Sequence, residues 1–297
     1  MKADLHFHSK YSDGLYWPDE LVKKAKKIGL EMIALTDHDT FEGVDDFIKS
    51  TRENNIVGIP AIEIDFIDSL YGFKSELLGY FPNGNYENTK NYILYFQNLR
   101  RKIVELSLQK AKNIYNFPDL DIIELIENKI GKTSQSSIYK KISLTKPDIF
   151  KYFNDKNVPH SYNDYQHFKN DFFNNKEFNE LSAKPDFSKC IELINKDGGY
   201  AVLAHPAYQF NKDINEIYKH EQEYKSKLIT AKNIGLWGIE MHSYESIDEA
   251  NSLNKIFYNF AIDCGLNITY GSDFHGANDR NSRQLGCLNN EFNGFKR

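Results

Sequence analysis

The chain has 297 residues, of which 40% are hydrophobic and 14% aromatic, and its formal net charge is −5. A chain of this length and composition can bury a sizeable core, which excludes a disordered or fibrous protein. The net negative charge gives no general indication of a nucleic-acid-binding protein.

The N-terminal residues and the cysteines indicate in which cellular compartment the protein is located. The chain begins MKADLHFHSK, which lacks the apolar core of a secretory signal, and no run reaches the roughly 18 apolar residues of a membrane span. Cys190, Cys264 and Cys287 are widely spaced and include no CxxC pair, so we expect reduced, structural cysteines. We predict a cytoplasmic protein without membrane association, and no sequence feature indicates an obligate protein partner.

The first 80 residues alternate short β-like runs with helical patterns. The β-like runs are ADLHFH, MIALTDH and IVGIPAIEIDF, and the helical patterns cover residues 18–28 and 42–52. Pro18 near a helix start and Gly29 after its end are typical helix boundaries. Strands that alternate with helices indicate parallel strands joined by helical crossovers.

A fourth β-like run, SELLGYF, precedes a long helical stretch. Between residues 87 and 179 β-like runs are scarce, and apolar residues recur at three- and four-residue intervals. We predict that residues 86–185 form a helical insertion subdomain that shapes the substrate site, and that residues 1–85 and 186–297 form the metal-binding domain. Residues 100–184 carry 15 Lys or Arg against 11 Asp or Glu. This excess would attract an anionic substrate, or would simply be a solvated helical face.

The alternation resumes after the insertion. Helical patterns cover residues 187–195, 214–230 and 247–263, and the β-like runs are YAVLAH, LWGIEM and NITYGSDFH. The total of seven strands is close to that of a closed β/α barrel, in which functional residues gather at the carboxyl ends of the strands. We therefore predict an α/β fold of this type.

Ionisable residues stand at the ends of the predicted strands. His6 and His8 are two residues apart, so both imidazoles would project to one side of an extended strand. Glu63 is an acid within an apolar run, and a bridging position between two cations would give this carboxylate the charged partner that burial requires. Without a cation or mutual contact, such groups would cost desolvation energy. The full set is His6, His8, Asp37, His38, Glu63, Glu76, His205, His242, Asp273 and His275.

Each motif also has a purely structural explanation. An isolated HxH pair is often exposed or hydrogen-bonded, and Asp13 in SDG suits an ordinary turn. Asp39 or Thr40 would cap the next helix, and the His and Asp residues of VLAHP and YGSDFHG could be satisfied core or capping residues. These explanations would have to hold together at every strand end, so the joint pattern favours a metal centre.

Five motifs together resemble those of the PHP (polymerase and histidinol phosphatase) superfamily, and specifically its stand-alone metal-dependent phosphoesterase branch. They are DLHFHSKYSDG, ALTDHDT, GIPAIEID, AVLAHP and GSDFHG, in the family's order over residues 4–276. The resemblance implies a distorted seven-stranded (β/α)7 TIM-like barrel that holds two to three divalent metal ions. Mixed His and carboxylate ligands would accept Mn, Fe or Zn.

The resemblance also implies which residues bind the metals. The ligands fall into three sets: His6, His8, Glu63 and Asp273; Asp13, His38 and His275; and His205, Glu63 and Glu76. The family usually has His in an HLLGY motif where this chain reads ELLGY. Glu76 can still be a ligand, but its negative charge would shift the third site toward harder cations.

A second departure from the family concerns the substrate. Relatives commonly show an Arg-Pro-His run in the insertion, where this chain reads TKPDIF. Lys146 keeps a positive charge there without bidentate phosphate recognition, and Asp148 adds a repulsive charge. Arg280 and Arg283 follow GSDFHG and could therefore lie near the site; the alternative is that both are ordinary exposed surface residues. The candidate substrate contacts are Lys146, His242, Arg280 and Arg283.

The resemblance implies hydrolysis of a phosphate ester by in-line attack of a metal-activated hydroxide, with no side-chain nucleophile. The leading substrate is a small nucleotide such as a nucleoside 3′,5′-bisphosphate. The first alternative is a 5′-to-3′ exonuclease on short RNA. Tyr139, Tyr152, Phe153 and Tyr162 of the insertion would then stack a base, or they would simply pack in the helical core. A non-catalytic metal-containing binding module and hydrolysis of an amide or other non-phosphate bond are further alternatives. Histidinol phosphate is disfavoured because the insertion and the motifs match the stand-alone branch.

Overall fold

The computed structural model describes residues 1–117, 119–160, 162–276, 283–288 and 290–296. Within these residues the chain forms seven β-strands and eleven α-helices. The strands are β1 (Ala3–Phe7), β2 (Met32–Leu35), β3 (Val57–Ile64), β4 (Leu77–Tyr80), β5 (Tyr200–Leu203), β6 (Leu236–His242) and β7 (Asn267–Gly271).

The helices follow the strands in the alternating order that the sequence predicts. No helix among the described residues combines the length and apolar composition needed to cross a bilayer. The helices are α1 (Pro18–Lys27), α2 (Val44–Glu53), α3 (Glu87–Tyr115), α4 (Ile122–Ile130), α5 (Lys146–Asp155), α6 (Tyr165–Phe172), α7 (Lys176–Leu181), α8 (Phe187–Lys196), α9 (Ile214–Lys219), α10 (Glu221–Asn233) and α11 (Ile247–Cys264).

The seven strands form one sheet in the order β1-β2-β3-β4-β5-β6-β7. Neighbouring strands are parallel except at β4, which runs antiparallel to both β3 and β5. The sheet nearly closes, because the segment after β7 bonds to β1. The amide of Asp273 donates to the carbonyl of His6 at 2.7 Å, and the amide of His8 donates to the carbonyl of Phe274 at 2.9 Å. The predicted distorted seven-stranded α/β barrel is confirmed.

Alternation along β3 explains how a carboxylate comes to lie deep in the fold. Ile59, Ala61 and Glu63 share one face of the strand, because successive side chains point to opposite sides. Ile59 and Ala61 pack in one buried cluster with Val202 of β5, whereas Ile62 packs in a different cluster with residues of the surrounding helices. Glu63 therefore continues a line of buried apolar side chains and is itself 0% exposed.

Helix α1 shows how the sequence builds the outer layer. Pro18 occupies the first turn, where its missing N–H group would have no helical partner, and the Glu20 carboxylate accepts the amide of Trp17 at 2.7 Å. Leu21 and Val22 are buried in one cluster with residues of β1, β2 and α2. Burying such a side chain contributes roughly 1.5–3 kcal/mol. Packing on the sheet is therefore the main stabilisation of this 10-residue helix.

The chain divides into two compact units. The first comprises Met1–Ile93 and Pro185–Arg297 and contains the barrel, and the second comprises Leu94–Lys184. The second unit contains most of α3 together with α4 to α7. Its interior is built around aromatic rings, among which Phe153, Phe168 and Phe172 are buried and in mutual contact.

The helix predicted over residues 214–230 is in fact two helices. Helix α9 ends at Lys219 and α10 begins at Glu221. His220 lies between them, and its φ of −105° and ψ of 11° depart from helical values. The prediction of one continuous helix was wrong. The polar sequence around His220 contains no Gly or Pro that would have indicated the break.

Candidate metal centre

The nine residues predicted as metal ligands all lie in the first unit, at one edge of the barrel. Most of them stand at or just after the carboxyl end of a parallel strand, but Glu76 precedes β4. The reversed direction of β4 explains this position. Leu77 pairs both with Ile64 at the end of β3 and with Leu203 at the end of β5. Glu76 therefore belongs to the start of its strand, not to a strand end as the sequence pattern suggested, and it still reaches the same edge.

The first ligand group forms around two histidine nitrogens. Nε2 of His6 and Nε2 of His8 lie 3.1 Å apart. Glu63 Oε2 lies 3.1 and 3.3 Å from these two atoms, and Asp273 Oδ1 lies 3.4 and 3.0 Å from them. Two tetrahedral ligands at 2.0–2.1 Å from one ion would be roughly 3.3 Å apart. The four atoms thus have the spacing of one coordination shell.

The second ligand group surrounds Asp13. Its Oδ2 atom lies 3.3 Å from Nε2 of His275 and 3.6 Å from Nε2 of His38. Nδ1 of His8 lies 3.6 Å from Asp13 Oδ1, and the His8 ring stacks on both of the other imidazoles, with centroid separations of 4.5 and 4.2 Å. The structure therefore brings the predicted second set together and adds His8 to it.

The third ligand group contains the residue that departs from the family pattern. Nε2 of His205 lies 2.9 Å from Glu63 Oε1 and 3.1 Å from Glu76 Oε2. Nδ1 of His38 lies 3.2 Å from Glu63 Oε2 and 3.7 Å from Glu76 Oε1. Glu63 consequently contacts members of all three groups, which is the bridging position that the sequence predicts.

The charges in the cluster hold one another in ionised form. Burial alone would lower the pKa values of His38 and His275, but nearby carboxylates, Asp13 foremost, raise the pKa of His38 to about 9 and that of His275 to about 10. Burial would raise the pKa of Glu63, but positive charge on His6 and His38 holds it well below its usual range. The imidazoles are thus the positive partners of the carboxylates. Divalent cations bound by these residues would take over that role, with release of protons.

The donor set fits divalent cations. Oε2 of Glu63 is buried and receives no hydrogen bond from any described residue. Three imidazole nitrogens, from His6, His8 and His38, nevertheless lie 3.1–3.3 Å from this oxygen. Leaving a buried charged acceptor unsatisfied costs about 1–3 kcal/mol or more. A cation shared by the carboxylate and the imidazoles would remove that cost, and such mixed ligands suit Mn²⁺, Fe²⁺ or Zn²⁺.

Two of the predicted ligands have backbone conformations that L-residues rarely adopt. The φ angle is +24° at His205 and +53° at Asp273, and such conformations cost about 1–3 kcal/mol each. Neighbouring acceptors hold them: the amide of Asp273 donates to the carbonyl of His6 at 2.7 Å, and the amide of His205 donates to Glu240 Oε2 at 2.8 Å. Strain that is held in this way is typical of functional sites.

Asp37 fixes the loop that carries Asp13. Its carboxylate accepts both the amide and the hydroxyl of Ser9 at 2.7 Å and the hydroxyl of Ser12 at 2.5 Å. Gly43 leaves room for this arrangement, because a Cβ atom there would lie 2.9 Å from Asp37 Oδ2. Asp37 is one of the ionisable residues at the predicted strand ends, and these contacts suit a residue that orients candidate ligands.

Glu240 is absent from the predicted set, although it is 0% exposed and belongs to the cluster. Its Oε1 atom lies 2.7 Å from Nδ1 of His6, and Nδ1 of His242 lies 3.5 Å from its Oε2 atom. Burial would raise the pKa of Glu240, but positive charge on His6 and the neighbouring imidazole of His242 lower it to about 2. A sequence signal was available, because Glu240 is an acid within the apolar run LWGIEM, just as Glu63 is within its own strand.

The two arginines predicted as substrate contacts follow β7. Arg280 lies outside the described residues. Arg283 forms an ion pair with Asp273 and donates from Nη2 to the hydroxyl of Tyr208 at 2.8 Å. The guanidinium therefore lies at the border of the first ligand group, where it could reach a bound anion.

The other two predicted substrate contacts differ in their surroundings. His242 is 0% exposed, and its Nε2 atom lies 4.0 Å from Asp273 Oδ2, so the ring faces the ligands and not the solvent. Lys146 is the first residue of α5 in the second unit. Its ammonium group lies 4.7 Å from the centre of the Phe173 ring. A role in substrate binding stays a prediction for both residues.

Sequence comparisons relate most of the chain to known proteins. The profile of the PHP domain matches residues 4–233. The chain is 26% identical over 279 residues to a 5′-3′ exoribonuclease of Haemophilus influenzae, an alignment that covers 92% of this chain and 90% of that protein. It is 24% identical over 280 residues to a phosphoribosyl 1,2-cyclic phosphate 1,2-diphosphodiesterase of Eggerthella lenta, with 93% and 95% covered.

Two solved structures share the fold. A candidate metal-dependent phosphoesterase of Bifidobacterium adolescentis superimposes with a TM-score of 0.67 at 20% identity, covering 96% of this chain and 90% of that one. An amidohydrolase of Chromobacterium violaceum, with bound sulfate and no metal, gives a TM-score of 0.64 at 19% identity, with 94% and 89% covered. At such identities the likeness concerns the fold alone.

Clustered imidazoles and carboxylates of this kind are the ligand set of a metal-dependent hydrolase. The domain match extends over well more than half of the residues and includes four of the five sequence motifs completely. The chain belongs to the PHP family, and it is a hydrolase that acts on phosphoesters.

Proposed function

We propose that this protein hydrolyses a phosphate ester of a small nucleotide, such as a nucleoside 3′,5′-bisphosphate, with two to three divalent cations (Mn, Fe or Zn) held by the nine clustered residues. The observation that carries the proposal is the position of Glu63, which contacts His8, His38 and His205 from three ligand groups. A carboxylate shared in this way supports cations that lie close enough to act on a single phosphate group.

The three ligand groups would share the binding of the divalent cations. When bound, divalent cations supply Lewis acidity, which lowers the pKa of a water molecule and offsets negative charge on phosphate oxygens. The chain itself contributes the fixed orientation of the ligands. Asp37 holds the loop of Asp13 through Ser9 and Ser12, and strand β3 presents Glu63 from the buried face of the sheet.

Arg283 is the described residue best positioned to bind a phosphate group. Its guanidinium contacts Asp273, and the hydroxyl of Tyr208 orients it. A cation bound to Asp273 would weaken the ion pair and make the guanidinium available to phosphate oxygens. Arginine suits this role because its planar group can donate two parallel hydrogen bonds to phosphate.

A second candidate function is 5′-to-3′ exonuclease action on short RNA. The Haemophilus influenzae relative that carries this name aligns over nine-tenths of both chains, which favours it. Removal of a terminal nucleotide uses the same phosphoester chemistry. The positive excess of residues 100–184 is consistent with a longer polyanion. Tyr139 and Tyr162 of the second unit offer rings that could stack on a base, whereas Tyr152 and Phe153 are buried and pack in the helical core instead.

The test is a panel of phosphate esters offered to the manganese-loaded protein. It contains a nucleoside 3′,5′-bisphosphate, a short 5′-phosphorylated RNA, a ribose cyclic phosphate and histidinol phosphate, with phosphate release and product chromatography as readouts. His8→Ala removes a residue of two ligand groups, and His220→Ala is the matched control, because that exposed histidine lies outside the cluster. We expect turnover of the bisphosphate in the wild type and the control but not in His8→Ala. Turnover of RNA alone would favour the second candidate. Inactivity of the metal-loaded protein on every ester would disprove both and direct attention to amides.

A further inference from the structure

Glu240 has no part in the proposed reaction, yet it contacts two predicted ligands from different groups. Its Oε1 atom lies 2.7 Å from Nδ1 of His6. Its Oε2 atom accepts the backbone amide of His205 at 2.8 Å. One buried carboxylate therefore supports the first and the third ligand groups at once.

The two contacts fix the direction of hydrogen bonding. The amide of His205 can only donate, so Oε2 must accept. The carboxylate likewise presents Oε1 as an acceptor, so the ring proton of His6 belongs on Nδ1. When a cation displaces the other ring proton of His6, the electron pair of Nε2 becomes available. Nε2 is the atom that lies 3.1 Å from both Nε2 of His8 and Oε2 of Glu63.

We infer that Glu240 is a positioning residue that selects Nε2 of His6 as the metal-binding nitrogen and holds His205 in its left-handed backbone conformation. A carboxylate behind a metal-binding histidine raises the basicity of the ring and fixes its orientation. The inference rests on the metal binding of the proposed function, and it concerns how the ligands are prepared for that binding.

Gly271 in β7 provides the space that this arrangement requires. A Cβ atom at position 271 would lie 2.2 Å from Glu240 Oε1 and 2.3 Å from the Cβ atom of His6. Any larger residue would separate the carboxylate from the imidazole. The glycine is therefore explained by the approach of two side chains and not by its backbone angles.

The alternative is that Glu240 itself binds a metal ion together with the two neighbouring imidazoles. His6, Glu240 and His242 lie close enough together to enclose an ion of their own. That ion would need Nδ1 of His6 as a ligand, and the proton would then have to leave this nitrogen. The two arrangements thus differ in which nitrogen of His6 carries the proton, and this difference can be measured.

The first experiment compares Glu240→Gln with a matched variant of a buried carboxylate. Glutamine offers one acceptor oxygen in place of two, so it cannot serve both His6 and the amide of His205. We expect the affinity of the first ligand group for Zn²⁺, measured against a chromophoric chelator, to fall roughly 10- to 100-fold. Asp197→Asn is the control, because Asp197 is similarly buried and its carboxylate accepts hydrogen bonds only from Asn88 and Thr89 among the described contacts. The control should lower the melting temperature and leave the zinc affinity unchanged.

The outcomes separate the inference from the proposed function. Wild-type zinc affinity in Glu240→Gln would overturn the inference alone, whereas a wild-type protein that binds neither zinc, manganese nor iron would overturn the proposed function. A second measurement needs no variant: nitrogen-15 NMR of the zinc-loaded wild type should show His6 with its proton on Nδ1 and zinc on Nε2. Zinc on Nδ1 would overturn the inference and favour an ion between His6, Glu240 and His242.

Discussion

Oε1 of Glu63 lies 2.9 Å from Nε2 of His205, although 142 positions separate the two residues in the chain. This contact joins the end of β3 to the end of β5 across the reversed strand β4. The other carboxylate oxygen, Oε2, lies among the nitrogens of the first two ligand groups. Glu63 is therefore shared, whereas His205 belongs to one group only.

This difference predicts unequal losses of metal from two variants. His205→Asn should remove a ligand of the third group and cost one ion per chain, because the other groups remain complete. Glu63→Gln should cost more than one ion, because it withdraws a charge from all three groups. Metal content of the purified proteins, measured by mass spectrometry after gel filtration, checks this, with circular dichroism as the test of folding. Equal losses from the two folded variants would contradict the shared role of Glu63.

Most candidate positions could be predicted from the sequence because ionisable residues interrupt or end the apolar runs, and the resemblance to the PHP superfamily then implied the three ligand sets. A buried strand that ends in His or Asp is costly unless the polar group has a partner, and the repetition of such residues at successive strand ends indicated a site. The direction of β4 could not be predicted in the same way. Its four residues, LLGY, are all buried, and an apolar run of that length is the same for a parallel and an antiparallel strand.

Supporting residues were harder to predict than ligands. Glu240 carried the same signal as Glu63, an acid inside an apolar strand, but its partners are the ring of His6 and the backbone of His205. Contact with a backbone amide leaves no pattern in the sequence, because every residue except proline has one. The left-handed conformation of His205 was equally hidden, since that conformation favours glycine or asparagine and not histidine in a sequence pattern.

The chelator-treated protein should lose stability as the pH rises above the ordinary histidine range. His38 and His275 have folded pKa values of about 9 and about 10, above the unfolded value of about 6.5. A raised folded pKa means that the protonated ring stabilises the folded state. This stabilisation is complete below about pH 6.5 and is lost as the pH rises through the folded values. Metal-loaded protein should show no such loss, because cations replace the protons.

Melting temperatures of the chelator-treated and manganese-loaded proteins across this alkaline range measure the effect. A matched double variant, His38→Gln with His275→Gln, should abolish the decline in the chelator-treated protein. The same decline with and without manganese would show that the two imidazoles do not exchange their protons for metal.

Glu76→His should change the metal preference of the third ligand group. Glu76 Oε2 lies 3.1 Å from His205 Nε2, and a carboxylate there adds an oxygen ligand and a negative charge. Oxygen ligands suit Mn²⁺ better than imidazole does, whereas imidazole suits Zn²⁺. Wild-type protein equilibrated with equal amounts of both metals should therefore retain a larger share of manganese than Glu76→His. Exposed Glu192, on α8 outside the cluster, provides the control Glu192→His. Identical metal ratios in wild type and Glu76→His would contradict a ligand role for Glu76.

Arg283→Ala should weaken substrate binding with little effect on metal content. The guanidinium contacts Asp273 and the Tyr208 hydroxyl but is not itself a metal ligand. Losing a charge-assisted hydrogen bond to phosphate costs about 1.5–3 kcal/mol, which corresponds to a roughly ten- to hundredfold rise in KM. Arg283→Lys should recover part of this loss, because lysine keeps the charge without the bidentate geometry. Arg52→Ala, an exposed change on α2, is the control. Steady-state kinetics on the preferred ester and the metal content of the purified variants test this prediction. A lower kcat with unchanged KM, or a loss of metal, would show that Arg283 supports Asp273 and does not bind phosphate.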